Sequence, residues 1–122
     1  MRQSSTETLR SFFGETGVAT IGRMEANLPE LAKLVDDFGL DKVWSRKGLA
    51  LHENGLITIS SQVARGDWYQ VEAHMKSFLH LGGTTEELSE VLLHLTVYCG
   101  FPAVISGFRV LQGIRAEISS VK

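Results

Sequence analysis

Apolar residues return every three or four positions along most of the chain, the spacing of one face of a helix, and no stretch of alternating apolar and polar residues competes with it. The spacing predicts an all-α fold of about six helices. Residues 1–26 mix polar runs with Leu9, Phe12, Phe13, Val18 and Ile21, and Gly14, Gly17 and Gly22 punctuate them, so a short helix near 5–13 and then a loose connection are expected. Asn27-Leu28-Pro29-Glu30 is a helix start: Asn27 can cap, and Pro29 suits the first turn. Leu28, Leu31, Leu34, Val35 and Phe38 follow at helical spacing, and Gly39 is expected to end that helix.

Trp44-Ser45-Arg46-Lys47-Gly48 reads as a connection with one large anchor and two cations, and a helix begins near Leu51. Over 51–65, Leu56, Ile57, Ile59, Ser60, Val63 and Ala64 cover much of the circumference, which predicts a central helix; the run is too long for a strand despite its Ile and Thr. Asp67 should cap a helix bearing Trp68, Val71, Met75, Phe78 and Leu79, closed by Gly82-Gly83. Thr84-Thr85-Glu86-Glu87 is a capping box for a helix with Leu88, Val91, Leu92, Leu95, Tyr98 and Cys99 in register, ended by Gly100. A last helix, about 102–118, carries more apolar residues than one stripe requires, so part of it is expected to face another subunit.

Composition narrows the function classes. A hydrophobic fraction of 43% fills one core, and no run approaches the roughly 20 apolar residues of a membrane span. The segment MRQSSTETLR lacks the apolar core of a signal peptide, so a cytoplasmic protein is expected. Twelve basic and 14 acidic residues are scattered without a cluster that could track a phosphate backbone, which argues against nucleic acid. The single cysteine, Cys99, excludes an internal disulfide and a Cys-x-x-Cys pair and reads as a small apolar packing residue.

Histidines at 52, 74, 80 and 94 form no metalloprotease pattern, and neither a metal nor a cofactor is expected. His74 lies at the border of an apolar face, where partial desolvation favours a neutral imidazole able to exchange a proton near pH 7. His94 shares its face with Glu90 and Tyr98 and reads as an interface or core residue, and His80 stands at a helix end. His52 and Glu53 open the central helix just after Arg46, so an anionic small molecule could meet a cation and a helix start together. Ser60-Ser61 lack a nucleophile elbow.

Taken in order, Val43-Trp44-Ser45-Arg46, Gly48-Leu49, Leu56-Ile57-Thr58-Ile59, His74, Gly82, Thr84, Glu87, Glu90-Val91-Leu92-Leu93 and Tyr98-Cys99-Gly100-Phe101-Pro102-Ala103 form a pattern that resembles the carboxymuconolactone decarboxylase family. The resemblance runs from about Leu31 to Phe108. It implies an alkylhydroperoxidase D-like helical bundle assembled into trimers or hexamers, here as a domain over 27–122 behind a helical extension over 1–26. His74 aligns with the histidine of the alkylhydroperoxidase D branch, but that branch's two cysteines fall on Asp67 and Gln70 and its glutamate on Gly55. Peroxidase and disulfide reductase activity are therefore not expected.

The decarboxylase branch is the better match, and it implies a cofactor-independent carboxy-lyase that removes CO2 from a small carboxylated lactone in aromatic catabolism. On that resemblance His74 is the general acid, with Glu53 or Tyr98 orienting it or adding a hydrogen bond. Arg46 and His52 bind carboxylate or polarise the lactone, with Trp44 and His80 also against the substrate. The branch usually carries arginine and serine where this chain has Asn54 and Gly55, and asparagines where it has His80, Leu81 and Ile105, changes that would reshape the pocket. A different small-molecule substrate on the same scaffold, or a non-catalytic oligomeric binding protein, are the competing expectations.

Overall fold

The computed structural model describes residues 1–121, which divide into two compact units meeting in sequence at Ala50 and Leu51. The described residues are helical throughout their regular elements, in agreement with the all-α expectation, and no helix among them is long and apolar enough to cross a membrane.

In the first unit α1 runs over Gln3–Asn27, α2 over Pro29–Leu34, and a π-wound segment continues over Val35–Trp44. Three expectations are corrected here. The helix near 5–13 gives way not to a loose connection but, after a break at Gly14 (φ 63°, ψ −163°), to more helix as far as Asn27. Only glycine reaches that backbone conformation without strain, so the chain kinks there and then resumes. Asn27 does not cap α2: its side-chain amide donates to the Arg23 carbonyl, and Leu28 takes the cap position.

Gly39 does not end the helix either. The turn widens, with the Ser45 N–H donating to the Leu40 carbonyl (3.1 Å). The wider winding keeps Asp36, Leu40 and Trp44, four residues apart, on the inward side. Leu31, Leu34 and Phe38, the stripe read from helical spacing, are exposed instead. Leu9, Ile21 and Leu40 form the unit's buried cluster, with Phe13, Val18, Met24, Val35 and Trp44 packed around it.

Asp36, largely buried, accepts the Arg2 backbone N–H (3.0 Å), so a carboxylate 34 residues away supplies the cap that α1 lacks locally. The Arg2 guanidinium donates to Asp37 (2.7 Å) and lies 3.3 Å from Asp36, and Lys33 donates to the other Asp37 oxygen (2.7 Å).

The second unit holds α3 (Leu51–Arg65), α4 (Trp68–His80), α5 (Thr85–Cys99) and α6 (Phe101–Val121). Helix α3 packs against all three others, but not with its whole circumference: Gly55, Ile59 and Val63 are buried while Ile57 and Ala64 face outward. Ile59 and Val63 join Val71, Met75 and Phe78 of α4, Leu88, Leu92 and Leu95 of α5, and Leu111 and Ile114 of α6 in one core. Cys99 is half-buried and packs against it.

The connections follow their local chemistry. After α3 the Gly66 N–H donates to Val63 and the Asp67 N–H to Gln62, with Gly66 left-handed (φ 72°); Asp67 then caps α4 by accepting from the Gln70 N–H (3.4 Å). After α4, Gly82 (φ 97°) donates to Leu79 and Gly83 to Phe78, the paired bonds of a glycine-ended helix. Thr84 opens α5 with its hydroxyl on the Glu87 N–H and its own N–H on the Glu87 carboxylate.

The reversal between α4 and α5 leaves no room beside Phe78. A Cβ at residue 83 would lie 2.3 Å from the ring and one at residue 55 would lie 3.0 Å from its other side. Two glycines therefore clamp a side chain that is 1% exposed.

Gly83→Ala should consequently cost about 2–3 kcal/mol by overpacking, read as a fall in the thermal midpoint; a midpoint within a degree of wild type would show that the ring can give way. In the first unit, Lys33 and Arg2 hold Asp37 below the usual carboxylate range. Burial, the largest influence on Asp36, pushes it up, but contacts with Ser5 and Arg2 together outweigh that and hold it low as well. Depressed folded values give stability that is full above the ordinary pKa of about 3.9 and is lost as pH falls through the folded values. Stability should thus decline below about pH 4, and the decline should flatten in Arg2→Ala; equal pH slopes in denaturant titrations would remove the Arg2 pairs from the account.

Candidate active site

The predicted site residues fall on both units. In the first, Trp44 packs edge-on against Phe12 (ring centroids 4.2 Å) and also meets Phe13 (6.3 Å), so its indole is part of the local core. Arg46 follows the π-wound segment and is exposed.

In the second unit His52 and Glu53 occupy the first turn of α3, both exposed. His52 meets two groups that were not assigned to a site from the sequence. Its ring lies 5.1 Å from that of Phe78, and its Nε2 is 2.6 Å from Oε2 of Glu87, a residue 35 positions away. Glu87 is thereby held at both oxygens, since Oε1 accepts the Thr84 N–H (3.0 Å) and hydroxyl (3.2 Å). The His52 imidazole first, and the Thr84 donors after it, hold the Glu87 carboxyl below its usual range against the opposing effect of burial.

His74 is half-buried on α4, one turn before Phe78 in sequence, and the ring that packs on Phe78 is that of His52. Nδ1 of His74 lies 2.8 Å from the Gln70 carbonyl. A carbonyl only accepts, so Nδ1 carries a proton, and Nε2 is the nitrogen that changes protonation state. The opposite holds for His52, whose Nε2 must donate to a carboxylate. Backbone and carboxylate thus set different tautomers on the two imidazoles.

Gly55, a departure from the branch pattern, now has a steric reason, because any side chain there would press on Phe78. Tyr98 is 72% exposed near the end of α5 and its ring pairs with that of His94 (5.2 Å); His80 is exposed as the last residue of α4. His94, read from sequence as an interface or core residue, is exposed within this chain and lines a cleft.

That cleft, about 340 Å³, lies between α3 and α5 and is bordered by Leu56 and Ser60 on one side and Glu87, Glu90, Val91, His94 and Leu95 on the other. The α5 residues recur at helical spacing, which was the signal available in the sequence, but the spacing does not show which helix faces them. The cleft's two carboxylates are those of Glu87, which is paired with His52, and Glu90. The described residues include no group of three or more potential metal ligands.

Among known proteins, the model of the carboxymuconolactone decarboxylase family matches residues 29–113, well over half of the chain. The chain is 34% identical over 89 residues to a 4-carboxymuconolactone decarboxylase of Acinetobacter baylyi and 30% identical over 80 residues to a nitrosuccinic acid decarboxylase of Metarhizium robertsii. These matches take in 73% and 66% of this chain, and they span 66% and 56% of the two relatives, under two thirds of either. An uncharacterised 15.0 kDa protein of Paracoccus denitrificans is 24% identical over 119 residues, 96% of this chain and 89% of its own length. The four-helix unit with the Tyr98-Cys99-Gly100-Phe101-Pro102-Ala103 turn between its last two helices, His74 on its second helix and the extent of the family match lead to one assignment: the chain belongs to the carboxymuconolactone decarboxylase family.

Proposed function

We propose that this protein is a cofactor-independent decarboxylase of a small dicarboxylic acid whose departing carboxylate is joined to a carbon that can delocalise an electron pair. The observation that carries the reading, beside family membership, is the imidazole of His74, fixed by the Gln70 carbonyl so that Nε2 is the proton-exchanging atom. The two relatives' names describe acids of this kind, one with a conjugated lactone as the electron sink and one with a nitro group. In either acid the C–C bond to the carboxylate breaks and CO2 leaves. The electron pair passes into the sink, and a proton must then reach carbon.

His74 delivers that proton from Nε2 as the general acid. His52 binds a carboxylate, and Glu53, Tyr98 and His80 are assigned to orienting and contact roles. The parts given to Arg46 and Trp44, in carboxylate binding and substrate contact, rest on the sequence pattern alone. A branch of the family that acts on a carboxylated lactone in aromatic catabolism is the more specific form of this reading.

Self-association is part of the proposal. Leu93, Val97, Tyr98, Phe101, Ile105 and Phe108 on α5 and α6 are 49–79% exposed, a run of large apolar side chains that a single chain leaves in water.

The test is CO2 release from 4-carboxymuconolactone and from nitrosuccinate, by wild type and His74→Gln, with both preparations sedimented at micromolar concentration. Wild type should turn over at least one of the acids as an oligomer, and His74→Gln should lose about 100-fold or more in kcat while keeping the same assembly. Equal rates would remove His74 from the chemistry, turnover of neither acid would overturn the decarboxylase reading, and a stable monomer would contradict self-association.

A further inference from the structure

Glu87 stands where a capping box requires a glutamate, and that role alone would explain its bonds to Thr84. It does not explain the second oxygen. Oε2 is occupied by His52 from the opposite helix, at 2.6 Å, while the imidazole rests on Phe78. We infer that Glu87 is a positioning residue for substrate binding: it orients the His52 ring through Nε2, so that the imidazolium form presents Nδ1–H to the carboxylate that the substrate keeps. The inference rests on the decarboxylase reading for the identity of that carboxylate, and on geometry for the rest.

Four observations support it. A carboxylate only accepts, so Nε2–H is committed to Glu87 and Nδ1 is the nitrogen left for a ligand. Among the described residues His52 makes no other hydrogen bond or ion pair, and its side chain is 48% exposed, so Nδ1 is within reach of a small molecule. Glu87 cannot swing away, because Oε1 is tied to both the N–H and the hydroxyl of Thr84. Finally, His52 and Glu87 lie in the first turns of α3 and α5, where the positive ends of the helix dipoles favour negative charge.

A cap and a positioning residue are separable because glutamine also serves at the third position of a capping box. Glu87→Gln keeps an oxygen for Thr84 but withdraws the charge from His52, whereas Glu87→Ala removes both. The measurements are kcat and KM for CO2 release, binding of succinate as a non-reacting dicarboxylate followed by calorimetry and by the His52 ring signals in NMR, and thermal midpoints. Glu87→Gln should melt with wild type yet lose about tenfold in succinate affinity and raise KM by a similar factor, with kcat changed less than KM. Glu87→Ala should show the same loss of affinity and also melt lower.

Wild-type KM and succinate affinity in Glu87→Gln would overturn the inference and leave Glu87 as a cap. If wild type releases no CO2 but binds succinate in a Glu87-dependent way, the positioning role stands and only the decarboxylase reading fails; if wild type neither binds succinate nor turns over, both fall.

Discussion

Phe78 is the side chain around which the second unit is arranged. Its ring sits where two helices and a reversal converge, and the space exists only because residues 55 and 83 have no Cβ. On the α3 side the absence lets the helix backbone approach the ring closely; on the other side it lets the chain end α4 and begin α5 within four residues. That short reversal brings the first turn of α5 beside the first turn of α3, and the contact between Glu87 and His52 follows from it. A bulkier residue at either glycine would push apart the elements that hold the imidazoles, so the packing constraint and the placement of the chemistry are one feature.

In the same unit the structure sets two histidines differently. His74 is fixed by a backbone carbonyl one turn earlier on its own helix, an arrangement that any helix can provide and that depends little on tertiary structure. His52 is fixed by a carboxylate from another helix and by ring packing, so its orientation depends on the fold being closed. The difference suits the roles proposed for them: a proton donor with one exchangeable nitrogen, and an anion receptor held by a counter-charge. The first unit uses similar means for another end, with buried Asp36 capping α1 from a distance and pairing with Arg2, a purely structural use of charge.

What was legible in the sequence was local. The Thr84–Glu87 box, the Asp67 cap and the glycine ends at 82 and 100 all depend on residues a few positions apart, and each occurs as read. The all-α class followed from the 3.6-residue period, and family membership from an ordered string of residues. Less legible was anything that depends on which surfaces meet. Gly39 looked like a helix end, but the chain widened its turn to keep Asp36, Leu40 and Trp44 inward. Gly14 looked like the start of a loop, but Phe12, Ile21 and Leu40 supply enough burial to restart the helix beyond it. Glu87 was visible as a cap and not as a partner of His52, because the pairing spans 35 residues and depends on the Phe78 clamp. Gly55 read as the loss of a polar group, whereas a Cβ there would lie only 3.0 Å from the Phe78 ring, a packing reason that the sequence does not display.

The central claim is that the imidazoles of His74 and His52 are fixed by different partners, a backbone carbonyl and a carboxylate, so that their neutral forms are opposite tautomers. Nitrogen-15 NMR of the histidine side chains, at a pH high enough to leave both rings neutral, tests it directly. The account predicts His74 protonated at Nδ1 and His52 protonated at Nε2, with the His52 signal reverting to the ordinary tautomer mixture in Glu87→Ala. His74 protonated at Nε2, or a His52 ring indifferent to the loss of Glu87, would contradict it.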